Sequence, residues 1–373
     1  MIFYGSLIDK LIFRFKGADK TLENVRNLSG IYINQSYKIV YRSHNWAYRK
    51  RSGSILLIPN YTTGTCTVTL FDGSNESSSR TVTFSGATLT ASMQGRYFRA
   101  KDSSFWHKIV SVNVSTNTIY LDTPIADISS ASGLTFEIWK RFYYVKSEVD
   151  VVLGFGDWGG RSNLDYDPSS KFESHTSDTS DTGRTTQFSD FGVDPIESTY
   201  ATGTVSIPAD SNVVTGVGTS WLSNADSGDI FVVNNLTFTI KRVETDTQII
   251  LHNFVKEEVT AGTAYEIKKD SPLGFQFYFN PDDYRVVPYS YLAKAPSMVH
   301  ETKDFILLPD EFEDCILTRA EWMRMKDNDD VKYGQTVALY QGLLDSLKIK
   351  RSVVQSPFSQ FSPKIHTSMP GRY

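Results

Sequence analysis

The sequence predicts an α+β protein of several domains, in which N- and C-terminal helices form a small helical bundle, two duplicated antiparallel β-barrel or sandwich modules are inserted between them, and an extended C-terminal arm follows. Three observations carry this prediction. Apolar residues recur at helical spacing toward both ends, five β blocks occur twice in the same order, and a basic, proline-punctuated stretch follows Ile349.

Residues 1–53 read as the N-terminal helical part. Between Asp19 and His44, the residues Leu22, Val25, Ser29, Ile33, Ser36 and Val40 fall on one helical face, with Asp19 as a candidate N-cap. Gly30 costs about 1 kcal/mol relative to Ala inside a helix, so a break or kink is expected near it. After Tyr48-Arg-Lys-Arg-Ser52 the period changes, and Ser54-Ile-Leu-Leu-Ile-Pro59 reads as a strand that opens the first β module, residues 54–146.

The first module runs Thr63-Gly-Thr-Cys-Thr-Val68, Gly95-Arg-Tyr-Phe98, Ile109-Val-Ser-Val112, Thr118-Ile-Tyr-Leu121 and Gly133-Leu-Thr-Phe-Glu-Ile138. A second module, residues 201–270, answers with Thr202-Gly-Thr-Val205, Gly228-Asp-Ile-Phe231, Ile240-Lys-Arg-Val243, Gln248-Ile-Ile-Leu251 and Gly262-Thr-Ala-Tyr-Glu-Ile267. Each block is a short alternating run bounded by turn residues, as in half-buried antiparallel strands. Between the copies, residues 147–200 include the acidic stretch Ser174-His-Thr-Ser-Asp-Thr-Ser-Asp-Thr-Gly183, which has too little apolar surface to order itself and reads as an exposed, mobile excursion.

Residues 271–349 begin with the aromatic runs Phe275-Gln-Phe-Tyr-Phe279 and Tyr284-Arg-Val-Val-Pro-Tyr-Ser-Tyr291. Two helices are expected next. Pro309 and the acids Asp310, Glu311 and Glu313 suit a helix start, with Phe312, Ile316, Ala320 and Met323 on its buried face and Asp327-Asn-Asp-Asp330 at its end. Tyr333, Val337, Tyr340, Leu344 and Leu347 form the stripe of the second helix, which should pack with the first and with 19–44. Residues 350–373 carry no acid and are cut by Pro357, Pro363 and Pro370, so they read as an extended arm. Its candidate partner-binding residues are Lys350, Arg351, Phe358, Phe361, Lys364, Ile365 and Arg372.

Composition narrows the function. A formal charge of -4 is too balanced for a protein that derives its affinity from many phosphate contacts. The two cysteines, Cys66 and Cys315, lack both a disulfide framework and zinc-ligand spacing. No signal peptide or membrane span is expected, and the protein is expected to be made and assembled in a cytoplasm.

The search for chemistry returns bland readings. Gly154-Phe-Gly156 and Gly159-Gly160 match no nucleotide-binding loop and are expected in positive-φ turns. Asp165-Tyr-Asp167 reads as a solvated acidic loop rather than a calcium site. His44 and His107 are expected to be structural. Trp46, Trp106, Trp139 and Trp221 either fill cores or form a sugar-stacking surface, and core filling is the better reading. Arg42, Arg49, Lys50 and Arg51 read as a solvated or interfacial charge run rather than a DNA contact. No catalytic residue, cofactor or metal ligand is assigned, and the chain is expected not to be an enzyme.

The order of parts resembles a known family. The helix containing Ile33-Asn-Gln-Ser-Tyr-Lys-Ile-Val-Tyr-Arg-Ser-His-Asn-Trp-Ala-Tyr48, the β inserts, and the helices after Leu307-Leu-Pro-Asp-Glu-Phe312 are similar to the layout of head-to-tail adaptor, or tail-tube-top, proteins of tailed bacteriophages. The blocks Gly-Thr-x-x-Val and Gly-x-x-Phe and the Ile-rich hairpin also look like β modules of phage neck and tail proteins. The resemblance implies a virion structural protein that forms a ring, twelvefold to match a portal, and contacts portal and tail or nozzle proteins. Its arm would dock on the portal, and genomic DNA would pass through without sequence-specific binding. The departure from the pattern is the long acidic excursion. The competing expectation is a tail-tip, baseplate or fibre component that binds host-surface glycan through the β modules.

Overall fold

The computed structural model describes residues 2–14, 23–156, 164–167, 185–193, 199–269, 273–278, 281–328, 330 and 332–352. The chain is α+β and divides into two compact units, one made of Met1–Lys50, Tyr200–Ile267 and Ala293–Tyr373, the other of Arg51–Thr199 and Lys268–Leu292.

In the first unit, helices α1 (Tyr4–Arg14) and α2 (Glu23–Arg42) share one core with helices from the far end of the sequence. The sequence reading missed α1, although Tyr4, Leu7, Ile8, Leu11 and Ile12, all buried, have the spacing of a helix face. Helix α2 buries Ser29, Tyr32, Ile33, Ser36, Tyr37, Val40 and Tyr41. It runs through Gly30 without the expected break. A Cβ there would collide with the Tyr4 hydroxyl, so the glycine makes room for the Tyr4 side chain of α1 against α2. The Asp19 cap lies outside the described residues.

Two single-turn helices, α3 (Glu76–Ser79) and α4 (Trp221–Asn224), belong to the β regions. At the other end, a 3-10 turn at Asp310–Phe312 leads into α5 (Glu313–Asp327), which is followed by α6 (Tyr333–Ser352). Phe312, fully buried, meets the Trp46 ring edge-on at 5.0 Å, and Ile316, Ala320, Tyr340, Leu344 and Leu347 complete the core. Each fully buried aliphatic side chain contributes roughly 1.5–3 kcal/mol. Around the rim, Arg14 pairs with Asp314 and Glu321 of α5, and the Tyr32 hydroxyl donates to Asp327 at 2.6 Å.

This unit also contains an 8-stranded sheet of β13 (Thr199–Tyr200), β14 (Thr204–Ile207), β15 (Ser211–Val217), β16 (Ile230–Val233), β17 (Leu236–Thr245), β18 (Gln248–Val255), β19 (Val259–Thr263) and β20 (Tyr265–Lys268). Its order is β13-β20-β16-β17-β18-β15-β14-β19, around a core led by Trp221, Phe231, Ile240 and Leu251.

The second unit contains a 7-stranded sheet of β2 (Thr65–Val68), β3 (Thr81–Ser85), β4 (Tyr97–Ala100), β5 (His107–Asn113), β6 (Thr118–Leu121), β7 (Ala131–Leu134) and β8 (Phe136–Trp139), in the order β7-β2-β3-β6-β5-β4-β8. A 3-stranded sheet joins β1 (Lys50–Leu57), β22 (Arg285–Ala293) and β10 (Val149–Phe155) in the order β1-β22-β10. The fourth sheet orders β11 (Asp165–Tyr166), β12 (Gln187–Val193), β21 (Leu273–Tyr278) and β9 (Tyr143–Tyr144) as β11-β12-β21-β9, with β11 parallel to β12. Phe155 is buried among the rings of Phe188, Phe275, Phe277 and Tyr289, at 4.8 to 5.7 Å between ring centres. The aromatic runs that the sequence grouped with the C-terminal helices thus supply strands of this unit. Parts of the expected loop excursion, at 149–155 and 187–193, are also strands, while 168–184 lies outside the described residues.

Two further expectations fail. Gly154 and Gly156 are not positive-φ turn residues; Gly154 is in strand β10, and Gly156, just beyond it, donates its N–H to Pro288 O at 2.8 Å. A Cβ on Gly156 would stand 3.2 Å from the Pro288 ring, so close packing of the β10 and β22 segments explains that glycine. Arg49 is not part of a solvated charge run. Its guanidinium is buried over the Tyr41 ring at 5.1 Å and donates to the carbonyls of Ala293 and His44, which supply the polar contacts that a buried cation requires.

Candidate functional site

The best-defined polar construction in the first unit is a buckle of residues 297–304, which ties α1 and α2 to the 8-stranded sheet. Its hub is the buried carboxylate of Asp304. One carboxylate oxygen accepts from Asn253 Nδ2 (2.8 Å) and from the backbone N–H groups of Val299 (2.7 Å) and His300 (2.8 Å). The other accepts from the Phe254 N–H at 3.3 Å. Asn253 and Phe254 belong to β18, and the Asp304 carbonyl in turn accepts from the Tyr4 N–H of α1 at 3.0 Å. One residue therefore engages a strand, a loop and a helix.

Around this hub the contacts are reciprocal. Asn34 of α2 donates to Met298 O and accepts from Met298 N–H, both at 2.8 Å, and donates to the Tyr4 hydroxyl at 3.0 Å. The Gly5 N–H donates to Glu301 O at 2.7 Å, and Arg26 reaches both Glu301 and Asp9. On the sheet side, His300 Nε2 lies 2.8 Å from Asp210, and the Lys303 ammonium donates to the Asp210 carbonyl. The His300 contact and then the Lys303 charge hold the Asp210 carboxyl below its usual range. These contacts fix residues 297–304 against α1, α2 and the 8-stranded sheet.

The sequence-derived candidates fall elsewhere. Helix α6 continues to Ser352, so Lys350 and Arg351 form its last turn rather than the start of an extended arm. Lys350 pairs with Glu311 at 3.1 Å, and a cation there also suits the negative end of the helix dipole. Phe358, Phe361, Lys364, Ile365 and Arg372 lie outside the described residues.

His107 is buried, with Nδ1 2.8 Å from the Thr123 hydroxyl; burial lowers its pKa against the opposing pull of Asp127 and Asp122. His44 stands edge-on to Trp46 at 4.6 Å, and burial, then the Lys348 charge, lowers it too. Trp46, Trp139 and Trp221 are buried core residues, and Trp106 is half-buried under the Arg99 guanidinium at 4.6 Å. Burial raises the thiol of Cys66 to about 11 and that of Cys315 to about 12, which suppresses thiolate chemistry in both. Asp165 and Tyr166 are exposed, with the Tyr166 hydroxyl donating to Asp190 at 2.6 Å. Among the described residues, no cluster of three or more His, Cys, Asp or Glu is arranged to hold a metal, and no helix is long and apolar enough to cross a membrane.

Sequence reasoning missed the buckle because Asn253 and Asp304 are 51 residues apart and carry no motif. No family model matches the chain, and no curated protein matches it.

Proposed function

We propose that this chain is a non-catalytic virion protein of a tailed bacteriophage, a subunit of an adaptor ring at the head-to-tail junction that contacts portal and tail proteins and gives the genome a passage. The observation that carries this reading is the split bundle: α1 and α2 share one core with α5 and α6, and the β regions are inserted between them in sequence. That is the layout implied by the resemblance to adaptor proteins. The buckle at Asp304 supports a mechanical role, because it couples one β insert to the helices through charge-assisted contacts to a buried carboxylate. Rings close when a head-to-tail interface repeats around an axis, twelvefold here if the ring matches a portal. A formal charge of -4 suits a subunit that DNA must pass without adhering.

The two β inserts are, in this reading, copies of one module. Read from β8 to β7 and from β20 to β19, the pairing orders agree strand for strand. Register shifts recur at Cys66/Val68 and Val205/Ile207, and at Ile109/Ser111 and Ile240/Arg242. Gly64 and Gly203 have φ of +97 and +89, and an added Cβ would meet the backbone near Gly86 in the first sheet and near Gly218 in the second. Tyr61 and Tyr200 each accept, through the hydroxyl, a backbone N–H at 2.7 Å, from Thr88 and Ser220 respectively. The cores differ by a compensated exchange: Phe84 and Leu89 in one sheet stand where Gly216 and Trp221 stand in the other.

The mass of the purified protein, alone and mixed with portal, tests the ring. A discrete large oligomer that joins portal supports it. A monomer under both conditions, or portal binding that survives deletion of every residue after Ile349, refutes the ring or the arm respectively.

A further inference from the structure

Strands β4 and β8 pair antiparallel, with Tyr97 opposite Trp139 and Phe98 opposite Ile138. One step further in the same register, Arg96 faces Lys140. Like charges placed opposite one another across a ladder are destabilising. Neither cation has a carboxylate among the described residues: Arg96 donates only to Ser92, at 3.2 Å to its carbonyl and 3.5 Å to its hydroxyl, and the Lys140 ammonium lies 4.8 Å above the Tyr143 ring. By contrast, Arg99 on the same strand has Glu137 at 3.2 Å.

The local chemistry leaves the pair's charge uncompensated. Burial, then the neighbouring guanidinium, lowers the Lys140 pKa, and burial lowers that of Arg96. Burial also pushes the Tyr143 phenol up to about 12, so that ring is neutral and offers no counter-charge. Its hydroxyl is fixed between the Ile58 N–H and carbonyl, which makes it a rigid floor under the ammonium. The fold itself does not require arginine here. At the matching position of the 8-stranded sheet, where the carbonyl likewise accepts from the N–H of a buried isoleucine (Ile109 for Arg96, Ile240 for Asp229), the residue is an acid, Asp229.

We infer that Arg96 and Lys140 form a binding site for a phosphate group, floored by the Tyr143 ring and rimmed by Tyr284. A guanidinium offers a planar fork and an ammonium a mobile point charge, together matching the two negative charges and several acceptor oxygens of a phosphate. Two sources share that chemistry: a free or terminal phosphate, and the phosphodiester of a single nucleic-acid strand, whose bases would stack on the rim. Tyr284 is 64% exposed, which leaves its ring open to such contact.

The test uses the full chain and two probes, inorganic phosphate and a single-stranded oligonucleotide of about 10 nucleotides, within the usual site sizes for such strands. Melting in phosphate should exceed melting in chloride of equal ionic strength, and Lys140→Gln and Arg96→Gln should each weaken binding about tenfold or more, the equivalent of one lost charge-assisted contact. Without phosphate, Lys140→Gln should melt at or above the parent temperature, because it removes a like-charge contact. Tighter binding of the oligonucleotide, weakening as salt rises, assigns the phosphodiester; equal affinity for both probes assigns a lone phosphate. Should Arg96→Gln fail to fold, Lys140→Gln decides alone. The site is refuted if the parent binds neither probe, if Lys140→Gln binds as the parent does, or if Lys140→Gln melts lower in phosphate-free buffer.

Discussion

Replacing Asp304 with alanine should uncouple the helices from the 8-stranded sheet. The substitution removes the acceptor shared by four donors, the Asn253 amide, which keeps its bond to Ser297 O, and the part-buried N–H groups of Phe254, Val299 and His300. A hydrogen bond to a charged group contributes about 1.5–3 kcal/mol. The four share a single carboxylate, so adding them overstates the loss. A cost of about 3 kcal/mol is expected, from bonds lost to a charged acceptor and donors left without a partner. That is a large part of a typical stability of about 5–15 kcal/mol. Urea unfolding measures the loss, and hydrogen exchange locates it: protection should fall first at the amides of Phe254, Val299 and His300. Asp210→Asn serves as the control, since that carboxylate is solvent-exposed and asparagine tolerates the positive φ of this position, so stability should change little. An Asp304→Ala protein within about 1 kcal/mol of the parent, with those amides still protected, would show that the buckle carries no load.

Two further outcomes are expected. Trp221→Leu should open a cavity at a cost below the roughly 3–5 kcal/mol of a Trp→Ala truncation, and Gly216→Phe alone should clash, because its Cβ would stand 2.6 Å from the Trp221 ring. Combining Gly216→Phe, Thr219→Ala and Trp221→Leu rebuilds the Phe84, Ala87 and Leu89 arrangement and should recover more than half of the Trp221→Leu loss; no recovery in urea titrations would count against module duplication. His107 has a lowered pKa when folded, so its neutral form is favoured in the native state. The unfolded chain therefore takes up the proton first, and stability is whole above about pH 6.5 and erodes as pH falls toward the lowered native value. His107→Gln should flatten that slope in the urea midpoint, and an unchanged slope would mean that the acid sensitivity arises elsewhere.

Periodicity made some of this legible in the sequence, and long-range geometry hid the rest. The stripe Tyr340, Leu344 and Leu347 appears on α6 as spacing required, and the block boundaries at Gly95 and Gly228 fall at positive-φ positions that demand glycine. Helix α1 was readable from Tyr4, Leu7, Ile8, Leu11 and Ile12, but its first residues are few and Asp9 and Lys10 interrupt the apolar run. Gly30 was read by propensity, which knows nothing of Tyr4 arriving from another helix. Arg49 looked like surface charge because sequence does not show that two carbonyls and an aromatic face await it. The Arg96 and Lys140 pair needs a strand register to be seen at all, since 44 residues separate the two.

The split bundle also bears on synthesis at the ribosome. The strands from Thr65 to Trp139 can pair as soon as they emerge, but α1 and α2 have no helical partner beyond each other until Phe312 through Leu347 have been translated. At about 5–20 residues per second the leading helices wait tens of seconds with greasy surfaces bare, and nascent chains in that state are prone to clump or to recruit chaperones. A stalled or prematurely stopped product would accordingly be sticky rather than merely short.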